Sequence, residues 1–129
     1  MHLVILDDQP GLAEMLALSL RSLGYSAAGF IHPEEALAAL KENDVLVTDY
    51  QMPEMTGLEV ARKAYDAGWR GSLLIMSGNC DVLNGNIDHP LLRMIIGKPL
   101  SISDLVRALE GASSDVVETK KSDPFPSVP

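Results

Sequence analysis

The sequence predicts a doubly wound α/β domain: a five-stranded parallel sheet with helices on both faces. Three observations point there. Short apolar runs alternate with amphipathic stretches along the whole chain. Three of these runs are continuously apolar, which is how strands covered on both faces read. Strict strand–helix alternation then calls for parallel pairing through right-handed crossovers.

The first strand is "HLVIL" (2–6). Leu12, Leu16, Leu20 and Leu23, with Met15 beside them, recur at helical spacing, and Gly24 offers a stop. "SAAGF" (26–30) is the second strand. Pro33 suits the first turn of the next helix, Ala36, Leu37 and Leu40 face one way, and Asn43 closes the pattern. "DVLVT" (44–48) is the third strand, followed by a helix striped by Leu58, Ala61, Ala64 and Tyr65 and closed by Gly68. "SLLIM" (72–76) and "LRMII" (92–96) are the last two strands. The connection between them, "GNCDVLNGNIDHP" (78–90), is rich in Gly and Asn and ends in Pro. The helix there, fourth in chain order, is therefore expected to be short or irregular. Ile102, Leu105, Val106 and Leu109 stripe the final helix. Ser101 is placed to cap it, Asp104 favours its positive end, and Gly111 follows. The domain is expected to span 1–111. The remainder, 112–129, reads "ASSDVVETKKSDPFPSVP", with three prolines and no apolar periodicity, and is expected to be a disordered tail.

Composition narrows the function. With 129 residues the chain makes one domain able to bury a core without staples. Hydrophobic residues at 47% and charged residues at 22% fit a soluble globular protein. A net charge of −8 with no Lys/Arg cluster argues against nucleic acid and against anionic membranes as partners. Cys80 is the single cysteine, no apolar run reaches membrane-spanning length, and the start lacks a signal-peptide pattern. A cytoplasmic location is expected.

In a doubly wound sheet, ligands bind at the carboxyl ends of the strands. The first strand delivers Asp7 and Asp8 there, the third Asp49, the fourth Ser77 and Gly78, and the fifth Lys98 followed by Pro99. Three carboxylates in one pocket repel: at about 4 Å and an effective dielectric near 20, each pair costs on the order of 4 kcal/mol. A hard divalent cation removes that cost, and Mg2+ takes one or two carboxylates, waters and a phosphate oxygen. Lys98 adds an ammonium suited to a phosphoryl group, Ser77 a hydroxyl, and the turn at Gly78 a backbone N–H. The arrangement suits transfer of a phosphoryl group onto one carboxylate, and Asp49, central among these groups, is the candidate. Met52 and Met55 are read as packing residues, Cys80 as an incidental thiol. His2, His32 and His89 lack metal-ligand spacing and are expected at the surface or at strand ends. Trp69, after the third helix, is expected at the opposite end of the sheet from Asp49.

Asp7-Asp8 after the first strand, "DYQMPEMTG" from Asp49, "MSGN" around Ser77 and "KP" at Lys98–Pro99 together resemble the receiver domain of two-component response regulators, over residues 2 to about 110. The resemblance implies a flavodoxin-like fold and phosphotransfer to Asp49 from a histidine kinase or histidine phosphotransfer protein. It implies direct Mg2+ ligation by Asp8 and Asp49 with the Gln51 backbone carbonyl, Asp7 acting through water, and Mn2+ or another divalent ion able to substitute. It assigns Ser77 and Lys98 to the phosphoryl oxygens and Gly57 to the turn into the third helix. Gln51 and Asn79 fall where the family tunes loss of the acyl phosphate. Output would be contact with a downstream protein target or onward phosphotransfer, not conventional enzymatic turnover.

One position departs from the pattern. Such domains usually carry an aromatic three residues before the lysine, and here that residue is Ile95. Coupling would then either run through the backbone of the loops after the third and fourth strands or be weaker. Two alternatives share the fold: a receiver cut from a hybrid kinase or larger regulator, and a phosphorylation-independent adaptor. The initiating Met and Pro-rich tail favour a free-standing domain over the first; the intact acids, Ser77 and Lys98 count against the second. A phosphatase with an aspartyl nucleophile is disfavoured, because "DDQ" lacks the D-x-D spacing and the chain has no room for a cap domain.

Overall fold

The computed structural model describes residues 1–78 and 87–112. Its elements are β1 (His2–Leu6), α1 (Leu12–Ser22), β2 (Ser26–Phe30), α2 (Pro33–Ala39), β3 (Val45–Asp49), α3 (Gly57–Asp66), β4 (Ser72–Ser77), β5 (Leu92–Gly97) and α4 (Ile102–Ala112). The helix expected between β4 and β5 falls mainly on residues 79–86, which lie outside the described residues, as do Cys80 and residues 113–129. The sheet is wholly parallel, in the order β2-β1-β3-β4-β5. That order reverses direction between β1 and β3, the point where doubly wound sheets open a binding crevice.

Alternation of side chains splits the core in two. Leu3, Ile5, Val45, Val47, Leu74, Met76 and Ile96 face α1 and α4, packing with Leu16, Leu20, Leu105 and Leu109. Val4, Leu6, Leu46, Leu73 and Ile75 face α2 and α3, packing with Ala36, Val60, Ala61 and Trp69. β1, β3 and β4 are buried almost throughout, as their unbroken apolar runs require. β5 is an edge strand, and Met94 on it is exposed.

Several boundaries differ from the sequence reading. β3 begins at Val45 and runs through Asp49, because Asp44 turns its carboxylate back to accept from the Lys41 N–H at 2.8 Å. The same turn ends α2 at Ala39 instead of Asn43. On α1 the core-facing residues are Ala13, Leu16, Ala17 and Leu20, whereas Met15 and Leu23 are exposed. Small alanines take the inner face because α1 lies close on β2: a Cβ at Gly29 would sit 2.6 Å from the Ala13 carbonyl carbon. α3 opens on a capping box that the sequence reading passed over. Thr56 Oγ1 accepts from the Glu59 N–H at 3.2 Å, and Glu59 Oε1 accepts from the Thr56 N–H at 2.8 Å. Ser101 caps α4 through the Asp104 N–H at 3.1 Å, as expected, but Gly111 lies within the helix.

Among the histidines, His89 departs from expectation. It is buried, wedged between Tyr65 and Trp69. Trp69 in turn donates through Nε1 to the Asp44 carbonyl at 2.8 Å, at the start of β3 and so at the far end of the sheet from Asp49.

Candidate functional site

Strand register builds the site. Leu6 lies level with Phe30 on one side and Thr48 on the other, so Asp7 comes level with Asp49 as β1 ends. The ladder continues one step further, the Asp7 N–H donating to the Phe30 carbonyl at 3.1 Å. Asp49 pairs with Met76, and Ser77 with Gly97, one residue before Lys98. Side-chain phase then sorts these residues. Asp7, Asp49 and Lys98 fall in phase with Ile5, Val47 and Ile96, toward α1 and α4, while Asp8 and Ser77 fall in phase with Leu6 and Ile75. The cluster therefore straddles the rim of the sheet.

Asp7 is fully buried, Asp49 is 8% exposed and Asp8 is partly exposed. One carboxylate oxygen from each lies within 4.8 Å of the others. Lys98 Nζ reaches Asp7 Oδ2 at 2.9 Å and Asp49 Oδ1 at 3.3 Å. Asp7 Oδ1 accepts from the Gln9 N–H at 2.9 Å, so both its oxygens are occupied. Ser77 is buried at the end of β4, and its carbonyl accepts from the Lys98 N–H at 3.0 Å, tying the fourth and fifth strand ends together. The Lys98–Pro99 bond is cis. Gln51 stands two residues past Asp49 with an exposed side chain, and Gly78 is an exposed turn residue where a Cβ would meet open space. Gly57 serves the site differently from the expected turn. A Cβ there would lie 2.4 Å from the Asp49 carbonyl oxygen, so glycine lets α3 begin directly against the end of β3. The Gly57 N–H donates to the Tyr50 carbonyl at 2.7 Å, and the Tyr50 N–H donates to the Met76 carbonyl at 2.9 Å, bracing the loop after Asp49.

The electrostatics are unbalanced. Burial pushes the Asp49 carboxyl up from the ordinary value, Asp7 adds to the push and Asp8 contributes, while Lys98 opposes them. Burial alone would lower the Lys98 ammonium, but its hydrogen bond to Asp7 and the nearby Asp49 outweigh that and hold it above the ordinary value. Lys98 pairs with two of the three acids, Asp7 and Asp49. Because Asp49 is raised in the folded state, its ionisation costs stability as pH rises through the folded value, and that cost is absent below the ordinary carboxylate range. Asp49→Asn is accordingly expected to raise the urea midpoint of the metal-free protein at pH 7. The gain should vanish near pH 3, a comparison made by urea titration monitored by circular dichroism.

A family model for the response regulator receiver domain matches residues 3–110. The chain belongs to the response regulator receiver family. Among curated relatives, the response regulator receiver protein CpdR of Brucella abortus is 30% identical over 112 residues, covering 84% of this chain and 93% of CpdR. Among solved structures, a receiver domain protein from Clostridium thermocellum superposes with a TM-score of 0.75 at 22% identity, covering 86% of this chain and 92% of that one. The Thermotoga maritima response regulator TrrA, solved in complex with Mg2+ and BeF, gives 0.70 at 19% identity, covering 84% and 96%. The flavodoxin-like receiver fold expected from the sequence is the one found, and the domain is a receiver of two-component signalling. Receivers of this kind are signalling modules that work with histidine kinases or phosphotransfer proteins. Among the described residues, no helix is long and apolar enough to cross a membrane.

Proposed function

We propose that Asp49 accepts a phosphoryl group from a phosphohistidine on a histidine kinase or a histidine phosphotransfer protein. The observation that carries this reading is the acid cluster itself: three carboxylates with oxygens within 4.8 Å of one another, one of them raised by burial and by its neighbours, facing a single lysine. Oxygen-only donors held this close fit a hard divalent ion, and a relative of the same fold was solved with Mg2+ and BeF. Asp8, Asp49 and the Gln51 carbonyl would hold Mg2+ directly and Asp7 through water, with Mn2+ or another divalent ion able to substitute. Bound there, the ion neutralises negative charge on the carboxylates and on an incoming phosphoryl group.

An Asp49 carboxylate oxygen attacks phosphorus in line, a phosphorus–oxygen bond forms, and the phosphorus–nitrogen bond breaks with its electron pair leaving on imidazole. Lys98 sits where it can shift from Asp49 Oδ1 to a phosphoryl oxygen while keeping its contact with Asp7, stabilising charge as it moves from donor to acceptor. The Ser77 hydroxyl and the Gly78 N–H are the groups assigned to the remaining phosphoryl oxygens. The acyl phosphate carries about two negative charges where the carboxylate carried one. Ile95 packs against the α2- and α3-facing core at the position where such domains usually carry an aromatic ring. The backbone bond from the Lys98 N–H to the Ser77 carbonyl, between the ends of β4 and β5, offers a path instead. Output is contact with a downstream protein or onward phosphotransfer, with no part for nucleic acid or membrane. The domain supports its own phosphorylation and dephosphorylation and no other turnover. The receiver is assigned to residues 1–111, with its last helix α4 running on to Ala112.

Labelling tests this reading. Incubated with a radiolabelled small phosphodonor, the wild-type protein is expected to take up one acid-stable, base-labile phosphoryl group with Mg2+ and none with EDTA. Equal uptake in both conditions would remove the divalent ion from the reaction.

A further inference from the structure

The β4–β5 crossover returns to the sheet at an unusual joint. His89 is 8% exposed and has both ring nitrogens engaged. Nδ1 accepts from the Leu91 N–H at 3.0 Å, which fixes the tautomer with hydrogen on Nε2, and Nε2 donates to the Ala61 carbonyl of α3 at 3.2 Å. The ring meets Tyr65 edge-on with centroids 5.6 Å apart, and lies tilted against Trp69 at 6.2 Å. Arg70 stacks its guanidinium on Tyr65, 3.7 Å from the ring centroid. Ile87 is buried on the same side of the sheet, against the α2- and α3-facing core. The crossover's return is thus pinned to α3 through one imidazole.

We propose that His89 is a proton-operated latch: neutral, it holds the return of the crossover on α3, and protonated, it lets that return detach while the sheet stays folded. A second proton must go on Nδ1, where it would point at the Leu91 N–H, donor against donor. Walled by two aromatic rings, the imidazolium would keep the Ala61 carbonyl on Nε2 but have no acceptor for its buried Nδ1 hydrogen. The charges around it give little relief. Arg62 on α3 opposes protonation, Arg70 is stacked on Tyr65, and the Asp44 carboxylate is engaged with the Lys41 N–H. Asp88, next in the chain, favours it. On balance burial holds the histidine below its ordinary value, against the Ala61 bond and Asp88. A lowered value means that the neutral form stabilises the joint above about pH 6.5, and that this is lost as pH falls through the folded value. The joint also lies beside an irregularity of the β4–β5 ladder. The ladder slips between the Leu73–Leu92 and Leu74–Met94 pairs, so the first pair lies across an irregularity from the rest.

Amide hydrogen exchange tests the latch from pH 7.5 to 5, corrected for intrinsic rates. The Leu91 amide of the wild type is expected to lose protection by about tenfold or more, with β1 and β3 unchanged. In His89→Gln, whose amide cannot titrate, Leu91 protection should be flat with pH. Constant wild-type protection, the same loss in His89→Gln, or parallel loss across β1 and β3 would each overturn the latch. Should the variant not fold, nitrogen chemical shifts of the wild-type ring decide. Hydrogen on Nε2 and titration below free histidine support the proposal, and hydrogen on Nδ1 or titration above free histidine overturns it. Phosphodonor labelling at pH 7.5 is independent of the latch, so its failure would count against the phosphoacceptor alone.

Discussion

Asp49→Asn is expected to reduce labelling by a small phosphodonor, in saturating Mg2+, to background, at least about a hundredfold below the wild type. The amide keeps the size of the carboxylate but offers a far weaker nucleophile and removes one negative ligand. Three features make the loss specific to the acceptor. Asp49 is 8% exposed and ends a strand whose backbone is fixed on both sides, so the substitution does not move its neighbours. Asp7 has both oxygens occupied by Lys98 and the Gln9 N–H, so it cannot substitute as acceptor. The variant is also expected to be more stable than the wild type in the absence of metal, which excludes unfolding as the cause. Radiolabelling resolved on a denaturing gel checks this. Retained labelling at the wild-type rate would place the acceptor elsewhere.

Lys98→Met is expected to destabilise the metal-free domain by roughly 2–4 kcal/mol, measured by urea titration. Methionine preserves most of the aliphatic stem but removes the ammonium, leaving Asp7 fully buried without its 2.9 Å partner and Asp49 without its 3.3 Å one. Removing one member of a buried pair costs more than the pair was worth, because the survivor keeps its desolvation penalty. Two controls separate this from lost packing. Adding Asp7→Asn should recover a large part of the loss, since the orphaned charge is then gone. Saturating Mg2+ should also recover part of it, as binding to the folded state at a hundred times its dissociation constant contributes about 2.7 kcal/mol. A loss that neither control reduces would assign Lys98 to packing.

How much of this was legible in the sequence varies by element. β1 and β2 were readable to the residue, because short apolar runs bounded by polar ones leave little choice of boundary. The site acids and Lys98 were readable for a related reason: the strand-end rule needs only the strand order and the position where each run stops. Interactions that depend on distant segments were not readable. The Lys98–Asp7 contact joins residues ninety-one apart, and nothing local to either announces it. Gly57 looked like a turn residue, yet its reason is the carbonyl of Asp49 pressed against its α-carbon. His89 looked like a strand-end histidine, because the cage that buries it comes from α3 and Trp69. The Thr56–Glu59 capping box was present in the letters, at the spacing such boxes require, and was legible in principle.

Residue-resolved paramagnetic broadening by Mn2+ addresses the whole account most directly. Added at substoichiometric levels, Mn2+ is expected to broaden the amides of Asp7, Asp8, Asp49, Tyr50 and Gln51 first. The Trp69 side-chain N–H, bonded at the opposite end of β3, should stay sharp, and excess Mg2+ should restore every lost signal. Broadening centred on exposed acids such as Glu34 and Glu35, or none that Mg2+ reverses, would contradict it.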